Sequence, residues 1–354
     1  MARSRPTVYD VADKAGVSIA TVSFTFRQPA KVKESTRQRV EAAARELGYI
    51  PSASARGLAG GRTGALGLLT RAGRPADPDP YGSADSAAID PDPDWRRFPL
   101  YFDEVKRGVE EECWRRGYAV MVAGATNVNA EAVLTDLAGR VDALAVLADS
   151  VPDADLRRIA ERLPVVVLSE SRLAGDLPQI DVDNSGGMRD VVEHLVETHG
   201  LRDLAFVGAL IDTDRAERFA AFQATLRAAG FQPPGASLGV NGDYRAMTRD
   251  LTDLDAWPDA FVCESDKVAL EVMDTLRDIG VDVPGQVAVT GFDGIVAGRL
   301  SSPQLTTVRQ PMTAMGAEAV KILVDRIERP QEPAPSRCFP VQLVVRQSCG
   351  CPPE

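Results

Sequence analysis

The segment Thr7-Val-Tyr-Asp-Val-Ala-Asp-Lys-Ala-Gly-Val-Ser-Ile-Ala-Thr-Val-Ser23 decides how the N-terminal part of the chain folds. Thr7 is placed to cap a short amphipathic helix over 8–15, and Gly16 supplies the left-handed backbone of a tight turn. Ser18 is then placed to cap a second helix that runs to about Phe26. Two such helices indicate a helix-turn-helix, whose second helix enters the DNA major groove, although any helical hairpin shares part of this pattern.

The charge of the chain is divided between its two parts. The net charge of −11 taken whole argues against a nucleic-acid partner. Residues 1–62, however, hold three lysines and eight arginines against two aspartates and three glutamates, a balance of +6, which leaves −17 for the remainder. This division indicates a basic nucleic-acid module fused to an acidic body. A third helix is predicted from Glu34 to Leu47, with arginines available for phosphates at positions 37, 39 and 45.

The same region resembles the DNA-binding headpiece of the lactose-repressor (LacI/GalR) family. The resemblance rests on Thr7–Ser23 and on Ser35-Thr-Arg, Val40-Glu-Ala-Ala and Leu47-Gly-Tyr-Ile-Pro51. It implies a headpiece over 1–50, a hinge helix and linker over 51–62, and a leucine, Leu58, wedged between base pairs in the minor groove. The DNA-contacting residues implied by the resemblance are Thr7, Tyr9, Ser18, Ile19, Ala20, Thr21, Ser23, Phe24, Arg27, Lys31, Ala55 and Leu58.

Two positions of the second helix depart from the family pattern. Phe24 stands where the family usually has arginine, and Arg27 stands where asparagine is common. Arginine can bind guanine through two hydrogen bonds, whereas phenylalanine offers an apolar contact to a thymine methyl group. We therefore expect a different operator, or weaker DNA binding that Arg27 and Lys31 offset through phosphates. The alternative is that Phe24 packs inside the headpiece.

From residue 63 onward, short apolar strands alternate with helices. This alternation predicts parallel sheets with right-handed crossovers, with ligands at the carboxyl ends of the strands. The predicted fold class is an all-α helix-turn-helix headpiece plus an α/β effector domain of two parallel-sheet subdomains. Strands are predicted at 64–69, 119–123, 143–147, 165–168, 204–207, 260–263 and 287–290, and helices at 104–117, 130–139, 153–163, 186–198, 215–229 and 267–280.

The body also resembles the effector domain of that family, which is similar to periplasmic sugar-binding proteins. The matching motifs are Ile180-Asp-Val-Asp-Asn-Ser-Gly-Gly187, Val289-Thr-Gly-Phe-Asp293 and Ser302-Pro-Gln-Leu-Thr-Thr-Val-Arg-Gln-Pro311. They imply an effector domain over 63–349, with one subdomain of 63–168 and 311–339 and another of 170–309 and 340–349. Residues 350–354 would then be a tail.

The resemblance further implies a ligand cleft. Its members are Arg218, Tyr244, Ser265, Asp266 and Asp293. Serine stands at 265 where the family has asparagine, which offers more donors and acceptors. An arginine, carboxylates and an aromatic ring suit a sugar or polyol. Taken singly, Arg218 could be a solvated helix residue, Asp293 a turn residue and Tyr244 a packing residue.

The cysteines and histidines indicate neither a disulfide framework nor a metal site. The cysteines are odd in number and scattered: Cys113, Cys263, Cys338, Cys349 and Cys351. Cys349-Gly-Cys351 could bind metal or oxidise, but without another ligand pair nearby we favour a frayed tail. His194 and His199 are five residues apart, which predicts that they do not share a helical face. We therefore predict no metal and no cofactor.

One stretch does not match the family. Residues 74–94 contain five prolines and six aspartates, a composition that predicts a mobile loop. We expect it to flank the cleft and to gate effector entry. A calcium site is the alternative, although repeated prolines disfavour a compact ligand loop.

These observations predict a homodimeric transcription regulator, most often a repressor in this family. Each headpiece would contact half of a near-palindromic operator, and a small molecule in the cleft would control binding. The chain has no apolar run long enough to span a membrane and no secretory signal, so we expect it to be cytoplasmic. The alternative is a small-molecule-binding protein of the same fold with weakened or lost DNA binding. An enzyme is not predicted, because no nucleophile–base pair and no dinucleotide fingerprint is visible.

Overall fold

The computed structural model describes residues 6–27, 29–49, 62–71, 99–126, 128–147, 150–169, 177–253, 257–332 and 335–352. The predictions for Ala55, Leu58 and the stretch 74–94 lie outside these residues, as does the side chain of Arg27. The chain divides into two compact units, one of residues 1–64 with 140–142 and one of the remainder.

The headpiece contains three helices: α1 (Val8–Ala15), α2 (Ile19–Arg27) and α3 (Glu34–Leu47). The predicted cap of α1 is confirmed as a reciprocal pair. The Thr7 hydroxyl accepts from the Asp10 amide at 3.4 Å, and the Asp10 carboxylate accepts from the Thr7 amide at 2.7 Å. Gly16 has a φ of +62°, as the turn requires.

A small apolar core holds the three helices together. Phe26 packs onto it, with its ring centroid 6.2 Å from that of Tyr49. Phe24 is 43% exposed and lies outside this core, so the interpretation that it packs inside the headpiece is wrong. The buried core residues are Val11, Ala12, Ala15, Val22, Val40, Ala43 and Ala44.

The body contains two sheets. The first sheet is entirely parallel and has the strand order β10-β5-β4-β3-β1-β2. The second has the order β11-β9-β8-β7-β6, in which only β11 is antiparallel to its neighbour. The strands are β1 (Ala65–Arg71), β2 (Ala119–Ala125), β3 (Ala143–Leu147), β4 (Val165–Leu168), β5 (Gln179–Val182), β6 (Leu204–Val207), β7 (Ala260–Cys263), β8 (Ala288–Asp293), β9 (Thr306–Arg309), β10 (Arg337–Phe339) and β11 (Gln342–Val344).

Helices alternate with these strands, which confirms the predicted α/β architecture. They are α4 (Leu100–Arg116), α5 (Ala130–Ala138), α6 (Asp153–Ala160), α7 (Asn184–Glu193), α8 (Thr213–Ala228), α9 (Tyr244–Asp253), α10 (Asp266–Asp278), α11 (Val296–Leu300) and α12 (Met312–Glu328). A π-helical turn, His194–Thr198, continues α7. Helices α9, α11 and α12 and strands β5, β9, β10 and β11 were not predicted.

The predicted boundary between subdomains, placed between 168 and 170, is wrong by one strand. Strand β5 pairs with β4, with Leu168 opposite Ile180, and β10 pairs with β5. The first lobe therefore includes residues up to Val182. The polar–apolar alternation of Gln179-Ile-Asp-Val182 does fit a half-buried strand, but it spans only four residues, the lower limit for this signal.

Helices α4 and α12 pack at unusually close range in the first lobe. A Cβ atom at Gly108 would lie 1.9 Å from the carbonyl oxygen of Thr313, and one at Gly316 would lie 2.1 Å from that of Val105. Neither position has room for a methyl group. The two glycines therefore set the distance between α4, which carries cleft residues, and α12.

Candidate DNA-binding surface and effector cleft

The N-terminal end of α2 presents the predicted DNA-contacting residues. The Ser18 hydroxyl accepts from the Thr21 amide at 3.1 Å and lies 2.9 Å from the Thr21 hydroxyl, so Ser18 caps α2 as predicted. Ile19, Ala20 and Phe24 are exposed there, whereas Thr21 and Ser23 are half-buried. Outside α2, Thr7, Tyr9 and Lys31 are also exposed.

A shallow groove of about 590 Å³ runs beside this helix end. Phe24 lines it together with three cationic side chains, Lys31, Lys33 and Arg39. Cations of this kind bind phosphate oxygens, whereas Phe24 can contribute only apolar contact. Lys33 was not among the predicted DNA-contacting residues, although it stands in the same basic segment as Lys31.

Arg218, on α8, is the centre of a buried polar network where the sequence predicts the cleft. Its Nε donates to Asn184 Oδ1 at 2.8 Å, and its Nη1 donates to the backbone oxygen of Glu264 at 2.7 Å. Nη1 also lies 3.5 Å from Asp293 Oδ1, and the guanidinium lies 3.8 Å from the centroid of the Phe292 ring. Arg218 is buried, so the interpretation of a solvated helix residue is wrong.

Asp293 ends β8 and connects the two lobes. Its φ of +123° is unusual for a residue other than glycine. Its Oδ1 accepts from Gln310 Nε2 at 2.8 Å, and Gln310 Oε1 accepts from the Tyr101 hydroxyl at 3.4 Å. The Tyr101 hydroxyl is 2.8 Å from Ser169 Oγ. This network therefore extends from the second sheet to α4 and to the end of β4.

Ser265 and Asp266 have structural partners in the cleft wall. Ser265 Oγ accepts from the Val268 amide at 3.4 Å and caps α10. Asp266 is fully buried; its Oδ2 accepts from the Ile295 amide at 2.8 Å, and its Oδ1 accepts from the Thr307 hydroxyl. The contact between Asp266 and Ile295 holds the loop that follows Asp293 at the end of β8. A direct contact of either residue with an effector stays a prediction.

Three buried carboxyl groups give the cleft its electrostatic character. Burial raises the pKa of Glu264 to about 7, against the opposing effect of Arg215 and Arg218. Glu264 Oε1 lies 3.0 Å from Arg215 Nε, and Oε2 has no hydrogen-bond partner among the residues that the structure describes. Burial also raises the pKa of Asp266 and of Asp293. Glu264 was not predicted, although it follows β7 directly and so stands where ligands of such sheets bind.

Tyr244 begins α9 and is buried in the second lobe. A Cβ atom at Gly239 would lie 2.9 Å from Tyr244 Cδ1, so the ring packs against the backbone of Gly239. Burial raises the pKa of the tyrosine hydroxyl, and the nearby Glu271 and Glu264 raise it further. The stacking of Tyr244 on a ligand ring stays a prediction.

An ion pair that was not predicted also joins the lobes. Arg309 Nη2, on β9, lies 2.7 Å from Glu104 Oε2 on α4. Arg309 Nη1 donates to the backbone oxygen of Gly294, in the same loop as Asp293. The Glu104 carboxylate is largely buried, so this contact is less screened than a surface pair.

A cavity of about 700 Å³ lies in the body, and none of Arg218, Glu264, Asp266 and Asp293 lines it. It is formed mainly by α10, α11 and the segment that joins α10 to β8, and Leu100 of α4 also lines it. Leu300, at its edge, is 78% exposed.

Across the ranges that the structure describes, no helix is long and apolar enough to cross a membrane.

A basic helix-turn-helix unit in one chain with a two-lobed α/β body of the periplasmic-binding-protein kind is the architecture of a ligand-controlled DNA-binding regulator. Residues 7–52 match the model of bacterial regulatory proteins of the lacI family, and residues 192–349 match that of the periplasmic binding protein-like domain. The chain belongs to the LacI family of transcriptional regulators.

Curated relatives match along nearly the whole chain. The HTH-type transcriptional repressor PurR of Klebsiella pneumoniae (strain 342) is 30% identical, over 97% of this chain and 96% of its own. The HTH-type transcriptional repressor PurR of Salmonella arizonae is 32% identical, also over 97% of this chain and 96% of its own.

Solved structures agree with this assignment. A complex of the transcriptional regulator CelR with cellobiose is 27% identical, with a TM-score of 0.65 over 97% of this chain and 100% of that chain. The lac repressor dimer bound to operator and the anti-inducer ONPF is 24% identical and shares the fold, with a TM-score of 0.77 over 98% of this chain and 99% of that chain.

Proposed function

We propose that this protein is a homodimeric transcriptional repressor controlled by a sugar-like effector bound between its two lobes. The observation that carries the proposal is the buried constellation of Arg218, Asp293 and Glu264 at the carboxyl ends of β7 and β8. Ligands of open α/β sheets bind at this edge. The constellation combines a fixed cation with carboxylates, which suits a molecule that carries several hydroxyl groups.

Each predicted cleft residue has a role in this proposal. Arg218 donates to ring or hydroxyl oxygens of the effector, and Asp293 accepts from neighbouring hydroxyls. Tyr244 provides an apolar surface beside them. Asp266 positions the loop that follows Asp293, through its hydrogen bond to the Ile295 amide, and Ser265 caps α10 through the Val268 amide. Cellobiose in the CelR complex supports a carbohydrate as the effector class.

For DNA binding, α2 and the adjacent groove supply side chains for contacts with base edges and for contacts with phosphates. Ser18, Ile19, Ala20 and Phe24 would contact base edges, while Lys31 would bind phosphate. Two copies of the headpiece would bind a near-palindromic operator, and the dimeric lac repressor supports this arrangement. Because the relatives are repressors, we expect no catalytic turnover.

The second candidate function is a small-molecule-binding protein with weakened or lost DNA binding. Exposed Phe24 favours it, because this position lacks the arginine that would bind guanine. The two candidates share the effector cleft and differ only in whether a specific DNA complex forms. A DNA-binding titration with a salt series distinguishes them.

A thermal-shift screen against sugars, polyols and nucleosides tests the effector proposal. A ligand that binds only the folded state raises Tm in a concentration-dependent way. We expect stabilisation by a sugar or polyol, and loss of that stabilisation in Arg218→Lys. Stabilisation by nucleosides alone would contradict the sugar-like class. Sedimentation of the same sample tests the dimer, since a monomer at micromolar concentration would contradict it.

A further inference from the structure

The C-terminal segment packs against the second lobe, and the interpretation of a frayed tail is wrong. Strand β11 leads into a short 3-10 turn, Gln347–Cys349, in which Cys349 is only 2% exposed. Ser348 is fully buried; its hydroxyl donates to the backbone oxygen of Val289 and accepts from the Thr306 amide at 2.9 Å. Cys351 is half-buried. Both cysteines are therefore held in place by the fold.

Two histidines face these cysteines from the end of α7. In an α-helix, side chains five residues apart lie on different faces. Here, however, the helix widens into a π-helical turn over His194–Thr198. In a π turn the hydrogen bonds join residues five apart (i→i+5), so such residues lie closer together than in an α-helix. Turns of this kind are often found at functional sites. His194 Nε2 and His199 Nε2 consequently lie 3.3 Å apart, with their rings at 82°. The prediction that they do not share a face was wrong for this reason.

The donor atoms of the two pairs converge. His194 Nε2 lies 3.5 Å from Cys349 Sγ and 3.7 Å from Cys351 Sγ. His199 Nε2 lies 3.3 Å from Cys351 Sγ, and all four donor atoms lie within 4.8 Å of one another. Zn–N bonds of about 2.05 Å and Zn–S bonds of about 2.3 Å in a tetrahedron require N–N separations of roughly 3.3 Å and N–S separations of roughly 3.6 Å.

From this convergence we propose that His194, His199, Cys349 and Cys351 form a tetrahedral Zn²⁺ site. Two thiolates and two imidazoles are the donor set that zinc prefers, whereas calcium and magnesium take oxygen ligands. Zinc binds as the two thiols lose their protons to solvent, so two Zn–S and two Zn–N bonds form without any oxidation. Four protein ligands leave no open position, which makes the site structural rather than catalytic.

Neighbouring groups support the ligands. The Thr306 hydroxyl donates to Cys349 Sγ at 3.2 Å, a contact that stabilises a thiolate. The amide of Arg346 donates to Thr306 Oγ1 at 2.8 Å and orients that hydroxyl. Gly350 has a φ of +105°, which lets the chain turn between the two cysteines.

The site joins two parts of the chain that are far apart in sequence. It fixes the segment after β11 to the C-terminal end of α7. The N-terminal end of α7 carries Asn184, which accepts the 2.8 Å hydrogen bond from Arg218. Zinc would therefore stabilise the second lobe and the helix that supports the cleft arginine.

Zinc retention by the purified full-length chain tests the proposal. The protein is kept reduced, loaded with ZnCl₂, desalted and measured by elemental mass spectrometry. We expect one zinc per chain in the wild type and in the control Cys338→Ser, which changes an exposed cysteine outside the cluster. We expect no bound zinc in Cys351→Ser or His199→Asn. Absence of zinc in the wild type, or equal zinc in Cys351→Ser, would overturn the proposal.

Three measurements on the wild type do not depend on the folding of a variant. Cobalt loading should give thiolate-to-metal charge-transfer bands and the intense d–d bands of a tetrahedral site. Zinc should also slow alkylation of Cys351 by iodoacetamide at least tenfold and raise Tm by several degrees, with reversal by a chelator. Octahedral cobalt spectra, unprotected Cys351, or a Cys349–Cys351 disulfide that persists in reductant would each contradict the site.

Discussion

Gln310 Nε2 donates a 2.8 Å hydrogen bond to Asp293 Oδ1 and so ties the residue after β9 to the last residue of β8. Because Gln310 Oε1 also accepts from the hydroxyl of Tyr101 on α4, the cleft carboxylate is linked to the first lobe. An effector that contacts Asp293 therefore acts on a side chain already connected to both lobes. This link offers a route by which ligand binding can alter the arrangement of the lobes.

Replacing Arg218 with alanine should abolish effector binding and destabilise the body. The change leaves Asp293 buried without its cation and the backbone oxygen of Glu264 without a donor, and breaking such a buried pair costs about 3 kcal/mol in free energy of unfolding. Chemical denaturation and a ligand titration measure the two effects. The matched control is Arg245→Ala, which removes an exposed ion pair with Asp278 and should cost less than about 1 kcal/mol. Equal costs for both variants would refute the role of Arg218.

Replacing Gly316 with alanine should destabilise the first lobe, although alanine favours helices by about 1 kcal/mol. A Cβ atom there would lie 2.1 Å from the backbone oxygen of Val105, so α4 and α12 would have to separate. We expect a net loss of about 2 kcal/mol in free energy of unfolding. Gly139→Ala is the control, because its nearest neighbour atom would be 3.5 Å away. A stabilised Gly316→Ala protein would contradict the close packing.

The stability of the body should fall as pH rises through the range of Glu264. Its folded pKa is raised from 4.5 to about 7, so between these values the folded chain holds a proton that the unfolded chain releases. This difference in bound protons lowers the free energy of unfolding by up to about 3 kcal/mol once the pH exceeds the folded pKa. Glu264→Gln should therefore lose less stability than the wild type between pH 5 and pH 8. Urea denaturation at both values measures this, with the exposed Glu110→Gln as control. The same pH dependence of stability in Glu264→Gln as in the wild type would contradict the raised pKa of Glu264.

Phe24 and Lys31 should affect DNA binding in different ways. Phe24→Ala should leave headpiece stability within about 0.5 kcal/mol, because the side chain is exposed. It should weaken binding to the specific site by about 1 kcal/mol without changing the salt dependence. Lys31→Ala should weaken specific and non-specific DNA binding alike. It should also reduce the slope of the logarithm of the binding constant against the logarithm of salt concentration by about one. Anisotropy titrations distinguish the two, and identical behaviour of the variants would contradict the assignment.

Much of the architecture could be predicted because short buried strands and helix caps leave local signals. The strand Ala260–Cys263 has the predicted bounds, and Thr7 and Ser18 cap their helices as expected. Strand β5 was missed because its alternation of polar and apolar residues spans only four positions, and its pairing with β4 is set by tertiary contacts.

The site was harder to predict, since its contacts join distant segments. Gln310, Tyr101 and Glu264 complete the network around Asp293, but no local pattern marks them as neighbours. The convergence of His194 and His199 depends on a π-helical turn, which the period of an ordinary helix does not predict.

The most direct test of the regulator is a fluorescence anisotropy titration of the full-length protein against the DNA upstream of its own gene. A salt series and a scrambled duplex of equal length serve as controls. We predict a site-specific complex that weakens steeply with salt and whose affinity shifts when the ligand found by thermal shift is added. Equal affinity for the scrambled duplex, or no response to that ligand, would contradict the account and favour a binding protein without an operator.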